Sequence, residues 1–146
     1  MTATRKQLVL AGAGHAHAQV LLAWARSPVP HVDLTVVSPQ ARVPYSGMVP
    51  GWLAGLYRYD EIVIDLPTLC TAAGARWLQA ALHSMDAVRS RLTLTSGEEL
   101  GYDVLSLNVG STLNPPADGE TEVLALRPLA RLRDAWEALL QRWAEE

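Results

Sequence analysis

Leu8–Val20 reads LVLAGAGHAHAQV, and its interpretation decides the fold. Leu8 to Ala11 is the apolar run of a buried strand, broken at Gly12 and Gly14. The chain resumes as AHAQVLLAWAR, with Val20, Leu21, Trp24 and Ala25 at helical spacing. Strand, tight turn and helix follow from that change of period. Gly12 lets the backbone turn sharply, and Gly14 lets it approach a ligand without a Cβ in the way. The first turn of the helix then points unpaired N–H groups outward, an arrangement that suits a pyrophosphate.

The fit to G-x-G-x-x-G is incomplete, because His17 stands where the third glycine would allow close packing of helix on strand. A histidine there implies a wider crossing or a ring tucked beside the ligand. Three other readings compete: a glycine-rich turn with no ligand, a signal peptide and a membrane span. For the signal peptide, Arg5 and Lys6 precede the apolar run and Ala16-His17-Ala18 imitates a cleavage site, but two glycines interrupt the run and the apolar pattern continues past the cut. A membrane span over Leu8 to Ala25 would place Gly12, Gly14, His15, His17 and Gln19 in hydrocarbon.

The chain has 146 residues, a one-domain length that can bury a real core. Its 12 basic and 15 acidic residues leave a net charge of −3, which argues against a nucleic-acid footprint and for a small molecule or a protein as partner. Cys70 is the one cysteine. It excludes an internal disulfide and a redox cysteine pair within the chain, and it fits a reducing, cytoplasmic compartment.

Downstream, Ser27-Pro28-Val29-Pro30 forces a break, and His31 to Val37 reads as the second strand of a βαβ unit. At its end a nucleotide-binding fold usually carries an acid for a ribose hydroxyl; here Ser38 holds the place, and Asp33 lies too early. The competing role for Ser38 is to cap a turn before Pro39. Pro39 to Tyr59 reads as a long loop, apolar and aromatic enough to line a flat ring system or to pack on the core. Arg42 is its early cation, facing either a phosphate or solvent.

Asp65-Leu66-Pro67 signals a capped helix that carries Cys70 as a buried, inert thiol and stops at Gly74. Ala75 to Leu82 reads as the next strand, and Leu82 to Ala87 continues away from it. RLTLT at Arg91–Thr95 and the return from Glu99 to Asp103 form a hairpin or meander added to the parallel sheet. Val104 to Val109 is a second buried strand ending at Gly110, whose glycine can bring backbone N–H groups near a ligand. Asn114 to Glu122, NPPADGETE, is linker-like, and Arg127 to Glu146 is an amphipathic helix with Leu129, Leu132, Trp136, Leu139, Leu140 and Trp143 on one stripe. The chain divides accordingly into a partial nucleotide-binding domain over 1–113, a linker over 114–126 and a helix over 127–146. A metal site from His15-Ala16-His17 with Cys70 or His83 is disfavoured, since an H-x-H pair lacks a complete ligand set.

The stretches LVLAGAGHAHAQVLLAW, LTVVSP, VPYSGMVPGWLAGLYR, GARWLQAALHSMDA and RLTLTSGEELGYDVLSLNVGS, with the tail helix, together resemble the amino-terminal FAD-binding part of the pyridine nucleotide-disulfide oxidoreductase superfamily. The likeness is to its type II NADH dehydrogenase-like and sulfide:quinone reductase-like branches, including a version joined to selenide, water dikinase. It implies an α/β fold: a Rossmann-like parallel sheet with a β-meander insertion and a C-terminal amphipathic helix. It also implies that Gly12, Gly14 and the backbone of His15 and Ala16 hold the FAD pyrophosphate. Ser38 would take the adenosine ribose, and Arg42 would lie near the phosphates. Met48 and Val49 would line the flavin side, Leu82 would offer its backbone to adenine, and Val109 and Gly110 would make the second FAD contact.

The resemblance further implies electron transfer from NAD(P)H through FAD to an acceptor such as a quinone. This segment would supply no catalytic side chain and be inactive alone. The paired cysteines of the disulfide reductases are absent from Pro39 to Tyr59, which argues against disulfide reduction. The family normally continues past the tail helix into an NAD(P)H-binding domain, so the expectation is a fragment of a longer parent. Peripheral membrane contact of the parent and oligomerisation through the tail helix stay open. The alternative is a non-catalytic nucleotide- or protein-binding module.

Overall fold

The computed structural model describes residues 4–112 and 124–145, which fall in two compact units divided after Val109. The expected linker over 114–126 lies largely outside the described residues. In the first unit, β1 (Lys6–Ala11), β2 (Val32–Val37), β5 (Arg76–Leu78) and β9 (Val104–Leu107) form one parallel sheet in the order β5-β2-β1-β9. The run that competed as a signal peptide is its centre: Val9, Leu10 and Ala11 are fully buried. Parallel strands covered on both faces read as continuous apolar runs, which is why Leu8 to Ala11 of β1 lacks alternation.

Helices α1 (His15–Arg26) and α3 (Leu66–Ala73) cover one face, where Leu10, Leu34 and Val36 meet Leu21, Leu66 and Cys70. On the other face Val9, Val37 and Ala80 pack with Leu92 and Leu94 of a β-meander. That meander, β6 (Leu82–Asp86), β7 (Arg91–Leu94) and β8 (Glu99–Gly101), is a separate antiparallel sheet and not an extension of the parallel one. The expected strand Ala75–Leu82 is correspondingly split, because the chain leaves the parallel sheet after Leu78 and re-enters extended structure at Leu82 in another layer. Periodicity cannot register a change of sheet within an apolar segment.

The segment expected as a loop from Pro39 to Tyr59 is partly regular. It holds β3 (Arg42–Pro44), paired antiparallel with β4 (Val63–Asp65), a 3₁₀ turn at Ser46–Met48 and a short helix α2 (Val49–Leu53). Local chemistry explains α3 closely. The Asp65 carboxylate accepts the Thr68 N–H at 2.9 Å, Pro67 occupies the first turn, and Gly74 ends the helix with a left-handed φ of +62°.

In the second unit the helix is α4 (Leu129–Glu145), beginning two residues after the expected Arg127. Trp136 and Trp143 meet edge to face with centroids 6.3 Å apart, and Arg133 donates to Glu137 at 2.8 Å. No helix among the described residues is long and apolar enough to cross a membrane.

Candidate functional site

All four parallel strands finish at one edge, since Ala11 is in register with Val37 and with Leu107, and Val37 with Leu78. The β1–α1 turn, Ser38 and Asn108 therefore converge there. Starting at β1 the chain moves outward through β2 to β5, and only later returns to β9 on β1's other side. The edge between β1 and β9 is thus a topological switch point, where open α/β sheets leave a crevice beyond the strand ends.

The turn is shaped by close packing against β9. Gly12 has a φ of +90°, and a Cβ on it would lie 2.7 Å from the Val109 nitrogen and nearer still to the Asn108 carbonyl, so only glycine fits. Its N–H donates to the Val37 carbonyl at 2.7 Å, and the Asn108 N–H donates to the Ala11 carbonyl at 2.8 Å. Gly14 is the N-cap of α1. A Cβ there would come within 2.6 Å of the Asn108 side-chain amide carbon and nitrogen.

No side chain caps α1, and its first turn contains no acid. The contrast with α3, whose N-terminus Asp65 closes, is chemically informative. An uncapped helix start leaves N–H groups at His15 and Ala16 and the positive end of the helix dipole for an external anion.

His17 is 2 % exposed, and its ring lies between the turn and β9. A carbonyl only accepts, so Nδ1–H donates to the Gly12 oxygen at 2.6 Å, and Nε2 is left to accept from the Ser106 hydroxyl at 2.8 Å in the neutral ring. The imidazole fills the place of the third glycine as a structural strut, directed inward and not into the crevice.

His15, by contrast, is exposed, and its ring stacks on Tyr45 at 4.6 Å with a 31° tilt. The two rings border a largely apolar cleft of about 460 Å³ that Met48, Ile62, Ile64 and Leu69 also line. The aromatic segment after β2 is thus carried back to the first turn of α1.

Other expected site residues are placed less simply. Ser38 is buried; its hydroxyl donates to the Gln40 carbonyl at 3.2 Å and accepts the Gln40 N–H at 3.4 Å, the turn-capping role weighed for it. Arg42 sits on β3 opposite Asp65, and its charge helps hold the Asp65 carboxyl below the usual range, after the larger effect of hydrogen bonding from Thr68. Val49 is buried, so Met48 alone of that pair lines the cleft. Leu82 opens β6 opposite Leu94 in the meander. Val109 is exposed beyond β9, and Gly110, with a φ of +82°, begins the second unit.

Cys70 is buried on α3, and desolvation pushes its thiol from 9.0 up to about 11. No group of three histidine, cysteine or acidic side chains able to hold a metal occurs among the described residues. Asn108 was not expected at the site. The only signal for it was its position between the apolar strand VLSL and the glycine at 110.

No protein-family model matches the sequence, and no curated protein sequence matches it. The fold is shared with several oxidoreductases among solved structures. The chain is similar to the sulfide:quinone oxidoreductase of Aquifex aeolicus, with 21 % identity and a TM-score of 0.75, covering 95 % of this chain and 32 % of that one. It is similar to an NAD-dependent persulfide reductase from A. fulgidus, with 21 % identity and a TM-score of 0.72 over 95 % of this chain and 27 % of that one. A third similar structure is the NADH:rubredoxin oxidoreductase of Clostridium acetobutylicum, with 23 % identity and a TM-score of 0.60 over 81 % and 31 %. The chain spans about a third of the length of these proteins.

Proposed function

We propose that this chain is the FAD-binding portion of a flavoprotein oxidoreductase that passes electrons from NAD(P)H through FAD to an acceptor, a quinone being one candidate. The observation that carries the reading is the uncapped start of α1 at the switch point between β1 and β9, where Gly12 and Gly14 add no Cβ of their own to the turn. The sulfide:quinone, persulfide and rubredoxin enzymes that share the fold support it as analogy.

The residues present fit the cofactor. A diphosphate is held by the N–H groups of His15 and Ala16 beside Gly14, with the helix dipole opposing its charge. At the end of β2, Ser38 turns its hydroxyl to the adenosine ribose; its contacts to Gln40 are long enough to exchange. Met48, with the His15–Tyr45 pair, borders the flavin side. Arg42 supplies positive potential toward the phosphates, moderated by Asp65. Leu82 serves adenine through its backbone, while Val109 completes the contact from the β9 side.

When bound, the flavin supplies the redox chemistry, and this chain contributes binding, orientation and electrostatics. No side chain of the chain is assigned a catalytic role. NAD(P)H binding and the acceptor site are assigned to further parts of the protein, and a cytoplasmic location fits the single buried thiol.

The test is titration of the chain with FAD, NAD and ADP, read by thermal melting and flavin fluorescence. A ligand that binds the folded state raises the melting temperature with concentration. FAD and ADP stabilisation supports the reading. A melting curve that ignores all three nucleotides rejects it and leaves the protein-binding module.

A further inference from the structure

We propose that Asn108 is a diphosphate-binding residue, its side-chain amide adding a donor to the backbone N–H groups of α1; this rests on the functional reading above. The amide lies against Gly14 at the helix start, so close that a Cβ at position 14 would meet its oxygen first and lie 2.6 Å from its nitrogen. Asn108 follows directly on β9, and its backbone N–H is anchored to the Ala11 carbonyl at 2.8 Å. That anchor fixes where the side chain begins and leaves only its rotamer free. It is half-buried, and its side chain makes no hydrogen bond to another described residue.

The chemistry favours an anion. Around the helix start the backbone presents donors, the first turn of α1 has no carboxylate, and no side chain caps it. A neutral amide turned with its NH₂ toward a phosphate oxygen makes a hydrogen bond to a charged acceptor, which is stronger than one to a neutral group. Gly14 and Asn108 act as a matched pair, because the missing Cβ at 14 makes room for the amide at 108.

The test compares the full chain with Asn108→Ala and Asn108→Asp, measuring dissociation constants for FAD, ADP and riboflavin, with circular dichroism and melting to verify folding. The alanine variant should weaken FAD and ADP by a similar factor, about tenfold. The isosteric aspartate, which preserves packing but places a negative charge at the phosphates, should weaken both by about a hundredfold at low salt. Its excess loss over alanine should shrink as ionic strength rises. Riboflavin, which has no phosphate, should be unaffected.

FAD and ADP affinities unchanged in both variants overturn the proposal while leaving the functional reading intact. So does a loss confined to FAD, which would put the amide at the flavin. If the parent chain binds neither nucleotide, the functional reading falls and this proposal falls with it.

Discussion

His17 Nε2 stands 2.8 Å from Ser106 Oγ, so one buried imidazole joins helix α1 to strand β9. Its other nitrogen holds the Gly12 carbonyl at 2.6 Å, which ties the turn, the helix and the neighbouring strand through a single side chain. Where a third glycine would allow direct packing, this chain has a polar strut. Replacing it therefore has a structural cost beyond the turn itself.

His17→Ala should destabilise the chain by about 3 kcal/mol, since it opens a cavity and leaves the Gly12 carbonyl and the Ser106 hydroxyl without partners. Urea unfolding measures this directly. Ser106→Ala should cost less, about 1 kcal/mol, because one bond is lost and little volume. The double variant should fall short of the sum; strict additivity would show that the two residues do not interact.

The two turn glycines should respond differently to alanine. At Gly12 the positive φ and the backbone of Asn108 and Val109 both oppose a Cβ, and neither can yield cheaply. Gly12→Ala is expected to cost about 3 kcal/mol or more. At Gly14 the φ of −64° is ordinary and the obstacle is the side chain of Asn108. Gly14→Ala should fold with a melting temperature near the parent's but lose nucleotide affinity, and adding Asn108→Ala should recover whatever stability was lost. Equal destabilisation by the two single variants would contradict this account.

Cys70 should be unreactive in the native state. Its raised value near 11 means that thiolate is scarce at neutral pH, and burial blocks reagent. A disulfide reagent at pH 8 should label the chain only as it unfolds. The folded value lies above the ordinary 9.0, so burial of the neutral thiol costs nothing below pH 9 and its contribution to stability is lost as pH rises from about 9 to about 11. A Cys70→Ala variant should show a shallower alkaline loss of stability.

Asp65 contributes at the opposite pH limit, as do the likewise lowered Asp60, Asp86 and Asp103. Hydrogen bonding from Thr68 holds the Asp65 carboxyl below the usual 3.8, so its contribution is present above that value and is lost as pH falls through the lowered one. Asp65→Ala should lower the melting temperature at pH 7 and flatten its dependence on pH below 4. An unchanged acid limb would show that the cap does not contribute.

Ser38 separates two roles. If its hydroxyl turns to a ribose, Ser38→Ala should lower FAD affinity by a few-fold while hardly changing the melting temperature of the free chain, since both contacts to Gln40 are long. Unchanged affinity would assign the hydroxyl to the turn alone.

The sequence by itself determined the features written in consecutive residues. The strand–glycine–helix unit at Leu8–Val20, the Asp65 cap with its Gly74 stop and the amphipathic stripe of α4 each depend on neighbours a turn or two away. Propensity, capping and period report such neighbours directly. The tertiary structure alone decided what meets across the fold. It split Ala75–Leu82 between two sheets, gave His17 its partner on β9, set Tyr45 on His15 and brought the Asn108 amide over Gly14. Those pairings join residues far apart in the chain, and only the register of parallel strands brings them to one edge. A residue's own neighbours carry no trace of such a contact, which is why Asn108 and the strut at His17 became visible only once β9 lay beside β1.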